Sequence, residues 1–337
     1  MSGRGAFVRL VPETGVYEFG FEVSLCTWLE RHCPGIVSRQ LGASSEGGRV
    51  IDIVAIEPGP DFGARTAISP RAIPDRAIES SVGVGRWRHW KEAFASDSEW
   101  AREACEEAIE IGFFERTRRG GREYVRQATR YPAEWFGSIV GIENKTDLGS
   151  PGDLDRQLRI DVSLGLLDEV ILATESYVTR AHLNRIPAEV GVWRYDRESA
   201  DREVIREATP LGPTDYGVEV LDRVPGRTEI EIVPPARKAR LRRRLAERAY
   251  GKGWRTYAFP SCAQVETRES AGTTSLPYCR WKGRTVQPAT ECGPDCSGHE
   301  PADAPDVDPE AERERRTPWV RDPEGRVQEQ AGLDRFE

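Results

Sequence analysis

Two carboxylates and one amine stand where this sequence is otherwise apolar. Asp52 is the only charge inside the β-branched run that follows Arg49 (49–56, RVIDIVAI). Glu143 lies near the end of a second apolar run (138–144, SIVGIEN), which Lys145 closes. Both runs read as buried strands, and a lone carboxylate inside one is costly unless a partner meets it. Glu143 and Lys145 are two apart, so they project from one face of their strand. If the two strands are neighbours, Asp52 and Glu143 meet at one end of a sheet. Converging carboxylate oxygens suit a hard cation such as Mg²⁺ or Mn²⁺. Such an ion activates water for phosphodiester hydrolysis, and a nearby amine stabilises the charge that develops. Lys145 is one of five lysines, with Lys91, Lys238, Lys252 and Lys282, among 48 basic residues. A chain that otherwise uses arginine keeps a compact amine here, and the two cations are not interchangeable.

Several elements must hold these residues. A helix is expected over 18–31, with Glu18, Glu22, Leu25, Cys26 and Leu29 on one stripe. Glu22 therefore faces the core and needs a partner. A short strand at 36–41 precedes the strand at 49–56, linked by a Gly- and Ser-rich turn. After 138–144, Ser150 and Pro151 read as the cap and first residue of a helix running to about Leu167. A strand at 168–174, a short helix at 178–185 and a strand at 190–195 complete the order. Helices separated by strands indicate an α/β sandwich around a mixed sheet.

The remaining segments divide the chain further. An N-terminal arm (1–15) precedes a core made of 16–57 and 136–233. The insertion 58–135 has helical segments expected near 86–96 and 98–111, then a hairpin over a Gly-Gly turn. That order resembles a winged helix, whose wing would carry Arg116, Arg118, Arg119, Arg122 and Arg126; a solvated hairpin is the plainer reading. The segment 234–258 holds a basic helix closed by Gly251, with Arg242 and Arg243 able to grip phosphates or simply to face water. Cys262, Cys279, Cys292 and Cys296 gather in a Cys-rich module (259–300) with irregular spacing. Clustered cysteines in a small module suggest structural Zn²⁺, with an iron–sulfur cluster as the alternative. In that alternative Cys26 or Cys33 would supply the remaining ligand. The acidic tail (301–337) reads as extended or partly disordered, with Trp319 and Phe336 as docking points.

Composition bounds the function. A chain of 337 residues exceeds what one compact core needs. Its net charge of -8, with scarce lysine, fits a salt-adapted chain, in which acidity reports on solubility and not on the partner. No apolar run is long enough to span a membrane, and the first residues carry no apolar secretion signal. The expected location is the cytoplasm. Seven cysteines in such a chain argue against a disulfide scaffold.

Ile51-Asp52 followed by Glu143-Asn144-Lys145 resembles the D…ExK signature of the PD-(D/E)XK, or restriction-endonuclease-like, nuclease superfamily. The element order over 18–195 is similar to that superfamily's αβββαβ core. The resemblance implies that Asp52 and Glu143 bind Mg²⁺ or Mn²⁺ and that Lys145 positions the nucleophilic water. It also matches Glu22 to an acid that many members carry on the first helix. Gln157 matches a glutamine common in RecB-like and Holliday-junction-resolvase-like members, and Asp153 or Asp155 are further additions. Ile51 stands where proline is common, and the insertion fills an unusually long gap between the two acids. The whole chain also resembles an uncharacterised family of haloarchaeal proteins. The expected function is a metal-dependent deoxyribonuclease in repair, recombination or defence, acting on DNA and not on membranes, with a homodimer left open. The alternative is a catalytically inactive nuclease-like core that binds nucleic acid or regulates. A purely structural, zinc-stapled partner protein is a third reading.

Overall fold

The two acid-bearing runs become adjacent strands at the centre of one sheet. The computed structural model describes residues 13–42, 49–68, 72–94, 98–128, 130–149, 152–224, 226–270 and 273–323. Helix α1 (Glu13–His32) leads into β1 (Ile36–Gly42) and β2 (Val50–Pro58). The insertion holds α2 (Phe62–Thr66), α3 (Asp75–Glu79), β3 (Arg88–His89), α4 (Ser98–Glu110), β4 (Phe114–Arg119) and β5 (Arg122–Gln127). The core resumes with β6 (Phe136–Asn144), α5 (Leu154–Leu164), β7 (Glu169–Thr174), α6 (Arg180–Leu183), β8 (Gly191–Asp196) and β9 (Asp201–Arg206). A ribbon of β10 (Gly217–Val224) and β11 (Arg227–Val233) precedes α7 (Pro235–Lys252). The C-terminal part holds β12 (Val265–Ser270), β13 (Thr273–Cys279), β14 (Arg284–Thr285), α8 (Pro288–Glu291) and α9 (Pro309–Arg316).

The main sheet is six-stranded and mixed, in the order β1-β2-β6-β7-β8-β9. β1, β2 and β6 run antiparallel, β6, β7 and β8 parallel, and β9 closes the far edge antiparallel. Alternate residues feed two cores, as strand periodicity requires. On one face Ile53, Ile142, Ile171 and Trp193 meet Phe21, Leu25 and Leu29 of α1. On the other, Val54, Ile139 and Leu172 meet Leu158 of α5 and Leu245, Ala249 and Tyr250 of α7. The result is a sheet between helical layers. Among the described residues no helix is long and apolar enough to cross a membrane.

The structure corrects several expectations. Helix α1 is buried all round from Phe19 to Glu30, not along one stripe. The C-terminal part covers its outer side: Trp254 and Leu276 join the α1 core, and Phe19 meets Tyr257 edge-on at 5.9 Å. In place of the helix expected near 86–96, the described residues 86–94 hold β3 and a 3₁₀ turn (Trp90–Glu92), and β3 pairs with β5. Helix α5 starts at Leu154 behind Asp153 and stops at Leu164, where Gly165 takes the left-handed conformation (φ 61°) that suits glycine. Ser150, expected as its cap, lies outside the described residues. Helix α7 runs through Gly251 to Lys252.

The acidic segment after 301 is also more ordered than its composition suggests, through α9 and a buried Trp319. Arg313 lies 4.5 Å over the Trp319 ring and donates to the carbonyls of Gly251 (3.1 Å) and Tyr250, at the end of α7. Those carbonyls have no partner within the helix, and a cation favours that end. Phe336 lies outside the described residues.

The insertion builds its own small core from Ile73, Ala77, Cys105, Ala108, Phe113, Phe114 and Val125. Its three strands take the order β3-β5-β4, and Gly120 and Gly121, both at positive φ, form the hairpin turn. A fully buried ion pair, Arg65–Glu247 at 2.6 Å, fastens the start of this insertion to α7. Arg65 stacks on Tyr250 (4.1 Å), and Tyr131 donates to Glu247 at 2.6 Å. Removing one partner strands a buried charge, which costs about 3–5 kcal/mol. Arg65→Met is therefore expected to lower stability in urea unfolding by about that amount. Arg65→Met with Glu247→Leu should recover most of the loss.

Candidate metal centre

The pairing of β2 with β6 positions the acids. Ile53 opposes Ile142 and Val54 opposes Gly141, and Asp52 and Glu143 are the next residue of each strand at that end of the pairing. The amide of Asn144 donates to Asp52 Oδ2 at 3.0 Å and fixes that carboxylate. The amide of Lys145 donates to Ala173 at 2.9 Å, which carries the β6–β7 pairing past the strand end. Lys145 Nζ meets Glu18 of α1 at 2.9 Å. Beside this group Gln40 holds a left-handed φ of 55° within β1 and donates to Glu22 at 3.0 Å. Arg39 also donates to Glu22, at 2.9 Å. The buried acid of α1 thus has the partners its position demanded, and Glu22 serves to bind α1 to β1.

Arg49 and Asp161 complete the centre, and both escaped the sequence reading. Arg49 Nη2 contacts Glu143 Oε2 at 2.5 Å, while Nε and Nη2 reach both oxygens of Asp161 at 2.8 and 2.6 Å. Asp161 lies on the apolar stripe of α5, after Leu154 and Leu158. An acid on an apolar stripe is the signal that singled out Glu22, and the same test would have found it. Gln157 lies one turn before Asp161, half-buried, and makes no hydrogen bond to the acidic group among the described residues. Asp155 is 4.0 Å from Arg185, and Asp153 stands at the start of α5 with no capping bond from its side chain.

Burial and crowding raise the proton affinity of the acids. Burial pushes Asp52 up to about 6, aided by the charges of Glu22 and Glu18, against the Asn144 amide and Arg49. Burial, and then the nearby Asp52, raise the proton affinity of Glu143, against the pull of Arg49. Burial also raises Asp161, against the same arginine. Among the described residues, Asp52 Oδ1 and Glu143 Oε1 accept no hydrogen bond. No three His, Cys, Asp or Glu side chains among the described residues converge into a ready-made metal cage. Mg²⁺ needs less than that, because it commonly takes one or two carboxylates with water and substrate phosphate. Two crowded acids, each with a free oxygen, fit such an ion.

The other expected sites separate. Around the hairpin turn Arg118, Arg119 and Arg122 are exposed. Arg116 is tied to Glu106 at 2.9 Å, and Arg126 to Glu115 at 2.7 Å. Arg242 faces inward: it is buried, donates to Leu166 at 2.7 Å and pairs with Asp168 at 2.7 Å, so it presents nothing to a phosphate. Arg243 is half-buried, with its Nε shut from water. Cys262, Cys279 and Cys292 share one small apolar cluster. Burial raises the Cys292 thiol to about 11, with Cys279 and Cys296 among the groups acting on it. Cys26 and Cys33 belong to the separate α1 core, away from that cluster.

Residues 36–301 match the model of a family of unknown function, DUF5787. The chain belongs to this family. The DUF5787 match begins at β1, so it contains Asp52, Glu143, Lys145, Arg49, Asp161 and the four C-terminal cysteines, while Glu18 and Glu22 precede it. No curated protein and no solved structure matches the chain.

The raised carboxyl group of Asp52 has a measurable consequence. A group that holds its proton more tightly when folded loses stability as pH rises from its ordinary value, 3.8, to its folded value, about 6. Asp52→Asn keeps an acceptor for the Asn144 amide and removes that cost. The variant is expected to melt a few degrees above the parent beyond pH 6 and level with it below pH 4, read by thermal unfolding across pH.

Proposed function

We propose that this protein is a metal-dependent nuclease that hydrolyses DNA phosphodiester bonds. The observation that carries the reading is the proximity of Asp52 and Glu143 at the end of the β2–β6 pairing, with an oxygen of each left free and Lys145 two residues beyond Glu143. Support also comes from the order α1-β1-β2-β6-α5-β7, which is the helix, three strands, helix, strand sequence expected of a restriction-endonuclease-like core. Asp52 and Glu143 would hold Mg²⁺ or Mn²⁺. The ion's contribution is to lower the pKa of a bound water and to neutralise charge on the phosphate.

The chain's own residues do the rest. The Asn144 amide holds Asp52 Oδ2, so that Oδ1 is the oxygen left for the ion. Lys145 carries its amine at a partly exposed position, held by Glu18, where it can donate to the attacking oxygen or to the phosphate. Arg118, Arg119 and Arg122 stand at the tip of the insertion hairpin and can meet the backbone of a duplex without reading its sequence.

The contact between Arg49 and Glu143 favours a second reading, a catalytically inactive core that binds nucleic acid, because a guanidinium already neutralises one of the two acids. One assay separates the two. The full chain is incubated with branched, single-stranded and duplex DNA in Mg²⁺ or Mn²⁺, beside Asp52→Asn and Lys145→Ala. The nuclease reading expects cleavage by the parent and a loss of at least about a hundredfold in both variants. DNA binding without cleavage would replace it with the second reading.

A further inference from the structure

Arg49 is the best-anchored cation in the candidate centre, and the proposed chemistry has no use for it there. Its guanidinium lies between two nearly inaccessible carboxylates, Glu143 and Asp161, while Nη1 is turned to the Val50 carbonyl. The two acids hold it unequally. Asp161 takes two hydrogen bonds, at 2.8 and 2.6 Å, in the forked geometry that makes such pairs strong; Glu143 takes one, at 2.5 Å. Glu143 is also the one of the two with an oxygen that accepts no hydrogen bond among the described residues, and the charge of Asp52 acts on it. Arg49 can therefore give up Glu143 and remain seated, but it cannot easily give up Asp161.

We propose that Arg49 is a built-in counter-cation of the metal site, which a divalent ion must displace from Glu143 while Asp161 keeps the guanidinium in place. This inference rests on the reading of Asp52 and Glu143 as metal ligands. In the metal-free protein the guanidinium neutralises Glu143, so the cleft does not hold two bare neighbouring carboxylates. When an ion arrives, Glu143 exchanges one cation for another, and the positive charge that stays on Asp161 opposes the newcomer at short range. Metal affinity is thereby set low by the protein itself. An ion held by two carboxylates and opposed by a neighbouring cation gains most from a third partner that is itself anionic. A DNA phosphate fills that role, so retention of the metal becomes dependent on the presence of substrate. Asp161 is the positioning residue of this arrangement: it touches neither metal nor DNA, and it determines how far Arg49 can withdraw.

The test is metal binding without DNA. Mn²⁺ affinity of the full chain is measured by calorimetry and by the spin-resonance signal of free Mn²⁺. The parent is compared with Arg49→Gln, Arg49→Lys, Asp161→Asn, the double variant Arg49→Gln with Asp161→Asn, and Asp52→Asn, with circular dichroism confirming that each is folded. Arg49→Gln is expected to bind Mn²⁺ at least about tenfold more tightly than the parent. The double variant, which keeps the net charge and leaves no buried Asp161 charge alone, should also bind more tightly. Arg49→Lys should stay close to the parent. Asp161→Asn should bind more weakly, because Arg49 then falls to Glu143 alone. Affinity in the double variant equal to or below that of the parent overturns the proposal, and if Asp52→Asn still abolishes binding the metal site survives that failure. No Mn²⁺ binding by the parent or by any variant overturns both.

Discussion

The antiparallel register between β2 and β6 is the constraint on which the candidate centre depends. Ile53 and Ile142 face each other in the core beneath α1, and Asp52 and Glu143 are the next residue of each strand, at the end of that pairing. A slip of one residue would send the isoleucines to the wrong face and separate the acids. The apolar cost of misregister thus protects a polar arrangement that is itself unfavourable. The same pairing sets the Asn144 amide within reach of Asp52 and leaves Lys145 just beyond the strand, where α1 supplies Glu18.

Around that centre the chain uses arginine as an internal joint. Arg39 with Glu22 binds α1 to β1; Arg65 with Glu247 binds the insertion to α7; Arg242 with Asp168 binds α7 to the approach to β7; Arg255 with Glu30 binds the segment after α7 to α1. A planar guanidinium can satisfy a buried carboxylate with two parallel bonds, which a lysine cannot do. Arginine richness therefore serves the architecture as well as the surface. It also explains why counting arginines along α7 suggests a phosphate grip where Arg242 in fact turns inward.

The centre of the sheet was legible in the sequence because its strands are long, apolar and β-branched, and because a charge inside such a run has few explanations. Asp52, Glu143 and Lys145 stood out for that reason, and the order of core elements from α1 to β8 followed from the same pattern. Three kinds of feature did not. Short elements such as β3 and its 3₁₀ turn carry too few residues to show a period. Side chains that work across long separations, such as Arg49 on Asp161, leave no local mark, although an acid on the stripe of α5 was visible. The burial of α1 on every side depends on Trp254, Tyr257 and Leu276, more than two hundred residues later, and no helical pattern announces a cover that distant.

The clasp that Arg313 makes over the end of α7 shows that the unit which folds is longer than the unit by which the family is recognised. The family match stops at residue 301, ahead of α9. The last carbonyls of α7 find their guanidinium only beyond that point, in Arg313, which also lies over the rings of Tyr250 and Trp319. A fragment trimmed to the match would expose the helix end that lies against β1 and the main core. The acid-rich residues after 301 are in that sense a piece of the scaffold, although their composition gives them the look of a solvated appendage.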